Sequence, residues 1–129
     1  MSNLGVIQEI YAAFDAKNLE RVIDLCDPAC VITQDEALPW GGRYEGPGGI
    51  ATFAITLAST IQSTVTPIEI YAAGDRVVQY GRTAGNVIAT QVPFDVAETH
   101  VWTLSDGKVV AAEFYIDSAA MLSALRQPG

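Results

Sequence analysis

One histidine, two cysteines and seven basic side chains are little for a chain of 129 residues, and each shortage removes a class of function. A lone imidazole with Cys26 and Cys30 falls short of a zinc ligand set, and two cysteines four positions apart make no disulfide framework. They read as free core thiols, and neither a metal nor any other cofactor is expected. Fifteen acidic residues against seven basic ones leave a formal charge of −8. That field repels phosphate backbones and anionic lipid, so neither nucleic acid nor a membrane is expected as a partner. The glycine-rich stretch Gly46-Pro47-Gly48-Gly49 lacks the lysine and serine of a phosphate loop. The longest apolar run, Ile50 to Ile61, is broken by threonines and is too short for a bilayer. The first residues, Met1 to Val6, have neither the basic flank nor the apolar centre of a secretion signal, which points to the cytoplasm.

What is present suits one domain with a sizeable core: half the residues are hydrophobic, and a chain this long buries roughly two-thirds of its unfolded surface. Leu4, Ile7, Ile10, Tyr11 and Phe14 recur at helical spacing across Asn3 to Ala16. Asn18 is placed to cap a shorter helix with Leu19, Val22, Ile23 and Cys26 as its stripe, ended by Asp27-Pro28. Cys30 to Thr33 reads as a strand, followed by a glycine- and proline-rich loop holding Trp40. A third helix runs from Ile50 to Ile61 and fades over Ser59 to Thr66. Strands follow at Ile68 to Ala72, which Pro67 confines to an edge or a late start, at Arg76 to Thr83, interrupted by Gly85-Asn86, and at Val92 to Leu104. Lys108 to Ile116 is the last, and Asp117 or Ser118 caps a final helical turn or two. Helices first and antiparallel strands after give an α+β fold, with helices covering one face of a curved sheet and enclosing a cone.

The stretch Glu98 to Asp117 is the chemical centre of the sequence. Ser105-Asp106-Gly107 reads as a three-residue hairpin loop, its glycine supplying the left-handed position. Counting back pairs Leu104 with Lys108 and His100 with Ala112, which places Glu98, His100, Trp102, Val110, Ala112, Phe114 and Ile116 on one face. That face is apolar apart from an imidazole and a carboxylate two residues apart. The opposite face carries Val101, Thr103, Val109, Ala111, Glu113 and Tyr115. It is too apolar to stay solvated, so a homodimer built on it is expected.

The combination resembles the SnoaL-like and ketosteroid isomerase-like branch of the nuclear transport factor superfamily over nearly the whole chain. The resemblance rests on Ile10-Tyr11-Ala12-Ala13-Phe14-Asp15-Ala16-Lys17-Asn18-Leu19, Cys26-Asp27-Pro28, Gly42-Arg43-Tyr44-Glu45-Gly46, Gly74-Asp75-Arg76-Val77-Val78, His100-Val101-Trp102, Asp106-Gly107-Lys108-Val109-Val110 and Tyr115-Ile116-Asp117. It implies a conical α+β barrel around a pocket, usually dimeric through the outer sheet face. The inward histidine of the polyketide cyclases falls on His100, but their aspartate falls on Phe114. The isomerase positions fall on Thr33, Ile10 and Thr99, with Asp35 two residues past the first and Tyr11 one past the second. The arginine flanked by aspartates of the limonene epoxide hydrolases is absent, because Thr83-Ala84 follows Arg82.

Two roles compete at each candidate. His100 is either a general acid/base oriented by Glu98 or a core histidine satisfied by its neighbours. Asp35 is either a proton shuttle or a turn residue. Tyr11 either points its hydroxyl into the cone or keeps it in water. Trp40, Trp102 and Phe114 either form an aromatic wall for a small apolar or polycyclic ligand or simply pack the core. The enzymatic reading is cofactor-independent acid/base chemistry on a small carbonyl or hydroxyl compound, by isomerisation, cyclisation, dehydration or hydrolysis. The alternative is a non-catalytic binding or dimeric interaction module of the same fold.

Overall fold

The computed structural model describes all 129 residues. Helix α1 (Asn3–Asp15) starts where the Ser2 side chain accepts the Gly5 N–H, and α2 (Leu19–Asp24) starts where Asn18 accepts from Arg21. Strands β1 (Cys26–Gln34) and β2 (Gly42–Glu45), helix α3 (Gly46–Thr60), strands β3 (Ile61–Ala73), β4 (Arg76–Val87), β5 (Pro93–Ser105) and β6 (Lys108–Ile116), and helix α4 (Ser118–Arg126) follow. The six strands form one curved, unclosed sheet in the order β2-β1-β6-β5-β4-β3; all neighbours are antiparallel except β1 and β6. Helices cover the concave face, and a single apolar core of 24 buried residues lies between the layers. No helix is long and apolar enough to cross a membrane.

Several boundaries differ from the sequence expectation, each for a local reason. Helix α2 stops at Asp24, so Cys26 is not part of its stripe and Asp27-Pro28 does not terminate it; these residues open strand β1, where the Asp27 carboxylate takes the Ala29 N–H and the register with β6 jumps between Cys26 and Val31. Helix α3 begins at Gly46, since Pro47 lies in the first turn, where no N–H is required. The polar stretch after it is strand, so β3 runs from Ile61 and carries Pro67 at a bulge on the sheet edge. Gly85-Asn86 does not interrupt β4. Gly85 pairs with Ser63, and a Cβ there would lie 1.8 Å from the Gln62 carbonyl oxygen, so the close approach of the two backbones needs a glycine.

The hairpin is tighter than a three-residue loop. Ser105 pairs with Lys108, and the two-residue turn Asp106-Gly107 has positive φ at both positions (52° and 76°), the type I′ pattern. A bulge between Thr103 and Leu104 then sets His100 opposite Phe114 rather than Ala112. Glu98, His100, Trp102, Ala112, Phe114 and Ile116 keep the expected face. Beyond the bulge the parity flips, so Val109, 1% exposed, packs inward in place of Val110 and leaves the outer face.

Candidate functional site

Strand pairing lays the concave face out as a grid. One row reads Gln34, Phe114, His100, Gln79 across β1, β6, β5 and β4. Two residues along one way lies the row Ile32, Ala112, Trp102, Val77; two along the other way, Ile116, Glu98, Gly81. Alternation alone aims these side chains inward, and α1, lying across the cone, adds Tyr11 from above.

Polar atoms converge on the Tyr11 hydroxyl. Trp102 Nε1 and Gln79 Nε2 each donate to its oxygen at 3.0 Å, and it lies 2.7 Å from His100 Nδ1. With both lone pairs occupied, the hydroxyl hydrogen is left to donate, and Nδ1 accepts it. The neutral imidazole therefore carries its proton on Nε2, which lies 3.2 Å from Glu98 Oε2. Gln79 Nε2 also approaches Glu98 Oε2 at 3.4 Å and His100 Nδ1 at 3.3 Å, spanning the group from behind. Tyr11, His100 and Glu98 thus form an ordered chain from the helix layer into the sheet. Two buried oxygens, Gln79 Oε1 and Glu98 Oε1, have no partner in it.

Burial reverses the usual titration order of this pair. The Glu98 carboxyl, with no exposed side-chain surface, is pushed up from 4.5 to about 7 by desolvation, which the Gln79 amide only partly relieves. The His100 imidazole is pushed down from 6.5 to about 4 by the same desolvation. Burial also raises Tyr11 above the ordinary phenol value, so its hydroxyl stays protonated. When the pair holds one proton, the carboxyl holds it.

The chain opens into a cavity of about 280 Å³ walled by Trp40, Phe53, Leu57, Trp102, Phe114 and Met121, among others. Tyr11 and His100 line it, as do Trp40, Trp102 and Phe114; the ring centroids of Phe114 and His100 lie 4.7 Å apart. Glu98 sits behind His100, outside the wall. Asp35 is not brought to the site: it is exposed in the turn after β1, where its carboxylate accepts the Ala37 N–H and is held below the usual carboxylate range by it. The turn reading of that residue is the one observed: the strand stops at Gln34, and because Ile32 and Gln34 are the inward positions of β1, Asp35 follows the outward parity of Thr33 and would not face the cone even in a longer strand. No three or more His, Cys, Asp or Glu side chains come together as a metal-binding group.

Sequence reasoning missed Gln79 and Gln34. Gln79 is fully buried, and its signal lay in the alternation Val77, Gln79, Gly81, Thr83, in which a polar residue takes an inward position. Gln34 lines the cavity, and its Oε1 accepts the Trp40 indole N–H at 3.1 Å.

The fold recurs in solved structures. An NTF2-like protein from Burkholderia thailandensis superposes with a TM-score of 0.92 at 24% identity, covering 98% of this chain and 99% of that one. TerC, co-crystallised with polyporic acid, gives 0.88 at 24% identity over 98% and 100%. A protein of ketosteroid isomerase-like fold from Catenulispora acidiphila, in complex with trimethylamine, gives 0.81 at 18% identity over 95% and 93%. Such identities establish a shared fold and no shared activity. No functionally curated protein matches the chain. The sequence pattern of the SnoaL-like domain matches residues 7–112, most of the chain and all but the last few residues of the sheet. The protein belongs to the SnoaL-like domain family.

Proposed function

We propose that the chain is a small-molecule enzyme that moves protons on a carbonyl or hydroxyl compound without a cofactor, in an isomerisation, cyclisation, dehydration or hydrolysis. One observation carries this reading: the Tyr11–His100–Glu98 chain begins at the cavity and ends on a buried carboxyl held at about 7, the value a general base needs near neutral pH. A ligand carbonyl takes over the Tyr11 hydrogen, which the raised phenol keeps in place. That frees His100 Nδ1, 2.7 Å from the Tyr11 oxygen, to accept a proton from the carbon next to the carbonyl. Nε2 passes its own proton to Glu98, so the imidazole ends neutral, the carboxyl protonated and the ligand an enolate held by Tyr11. Trp40, Trp102 and Phe114 hold the apolar body of the ligand. Small ligands in two proteins of this fold, polyporic acid and trimethylamine, support a pocket of this use.

Hydrogen exchange tests this without the natural substrate. Wild-type protein is incubated in deuterated water with aryl, terpenoid and steroid ketones, and exchange next to the carbonyl is read by mass spectrometry. Exchange that falls by about 10²-fold in His100→Gln and in Glu98→Gln is expected. No exchange with any ketone, or exchange untouched in His100→Gln, refutes the proton relay. A second reading, binding without turnover, is favoured by the engagement of both His100 nitrogens within the chain; its signature is saturable binding with no exchange.

For assembly, the reading is a homodimer on the convex face. Val78, Val101, Thr103 and Ala111 lie there beside the exposed rings of Tyr71, Tyr80 and Tyr115, 39–54% exposed. A row of tyrosines on a sheet face supports an interface more than a solvated surface.

A further inference from the structure

Gln34 stands in the same cross-strand row as His100, two strands away across Phe114. Its amide orientation is fixed by chemistry. The Trp40 indole N–H can only donate, so the atom 3.1 Å from it must be the amide oxygen, and a flipped amide would set donor against donor. The Nε2 hydrogens are left over. They make no hydrogen bond within the chain, they are not sealed in the core, and the residue lines the cavity. Strand spacing puts the two positions roughly 10 Å apart at the backbone, and concave curvature brings the side chains closer.

We infer that Gln34 determines specificity by donating from Nε2 to a second acceptor on the ligand. The ligand class is then a flat, aromatic or polycyclic compound with two oxygen acceptors at opposite ends, one taken by Tyr11 and the other, a carbonyl or carboxylate oxygen, by Gln34. Phe114, between the two poles, supports the apolar body. This inference rests on the pocket reading above and deepens it, but its readout is binding and not turnover.

The probes are 1,4-diacetylbenzene and 4-ethylacetophenone, titrated by tryptophan fluorescence at pH 8. Both offer a ketone oxygen to Tyr11, as the pocket reading requires, and they differ only in the carbonyl at the far end. Wild-type protein should bind the diacetyl compound about tenfold more tightly, the worth of one net hydrogen bond. Gln34→Glu keeps an oxygen for the Trp40 N–H but turns the other atom from donor into acceptor, so the preference should vanish or invert. Tyr11→Phe should weaken both compounds and leave the preference standing. Should Gln34→Glu not fold, Gln34→Met carries the same test, as it too lacks the donor. A diacetyl preference unchanged in the Gln34 variant, or lost in Tyr11→Phe instead, overturns the assignment. So does binding of neither compound by the wild type. The ketone exchange experiment judges the proton relay separately, so the failure of one is distinguishable from the failure of the other.

Discussion

Replacing His100 with Gln should turn a stability that is nearly level in pH into one that declines between pH 4.5 and 7. The Glu98 carboxyl titrates at about 7 in the folded chain and at 4.5 when free; His100 does so at about 4 and 6.5. Between these limits the folded pair holds one proton, on the carboxyl, and the unfolded pair also holds one, on the imidazole. Equal proton counts mean no slope. With His100 gone, the raised carboxyl acts alone: its contribution is complete below pH 4.5 and is lost as pH rises through about 7, since the unfolded chain ionises and the folded one resists. At about 1.4 kcal/mol for each pH step separating the two values, the loss is about 3 kcal/mol. Little discount for solvent applies, because the two side chains are 0% and 12% exposed. Glu98→Gln should mirror this, its stability falling by about 3 kcal/mol as pH drops from 6.5 to 4.

Urea denaturation of the three proteins at half-unit pH steps measures the effect, and subtracting the wild-type curve removes the background of the other carboxylates. In thermal terms the loss is about 10 °C. A His100→Gln profile parallel to wild type would refute the inverted titration order, and with it the view that the carboxyl is the proton-holding member of the pair.

Other outcomes follow from single contacts. Asp35→Asn keeps an oxygen for the Ala37 N–H on an exposed turn, so the denaturation midpoint should stay close to wild type and ketone exchange should be unaltered; a large loss of exchange would return Asp35 to the site. Gly85→Ala drives a Cβ to 1.8 Å from the Gln62 oxygen, and chemical denaturation should show a loss of about 2–4 kcal/mol. Sedimentation at micromolar concentration should show a two-chain species that Tyr115→Arg converts to monomer, because a charge is placed among the exposed tyrosines; a wild-type monomer would remove the convex-face interface.

The fold was legible because its signals are local and periodic. The stripe Ile7, Ile10, Tyr11, the cap Asn18 and the alternation around His100 each state a geometry that nothing distant overrides. The errors fell where one backbone answers another. Gly85 looks like an interruption until Gln62 is seen beside it, and the tighter turn and the bulge after Thr103 each shift the pairing of the hairpin by one residue. The candidate site was half legible for the same reason. His100 and Glu98 share a strand and a parity, so their proximity could be counted. Gln79 and Gln34 come from other strands, and only the sheet register sets them in one row with His100. Asp35 shows the converse: it was counted in step with Thr33, but Ile32 and Gln34 hold the inward parity of β1, so that count leads to the outer face.

The titration order also decides how a pH–rate profile of this protein is to be read. Activity that rises with pH through about 7 invites assignment to the only histidine, since that is where a free imidazole titrates. Here desolvation pushes His100 down to about 4, and it is Glu98 that ionises at about 7. The two assignments predict the same profile at one temperature and different profiles at two. A carboxyl ionises with almost no enthalpy, whereas an imidazolium ionises endothermically, so the midpoint of a histidine moves down on warming and that of a carboxyl stays. Ketone exchange followed against pH at 15 and 35 °C should therefore show a midpoint that does not move, and that disappears in Glu98→Gln. A midpoint that drifts downward with temperature would assign the titration to His100, and the proton would then stop on the imidazole instead of passing through it.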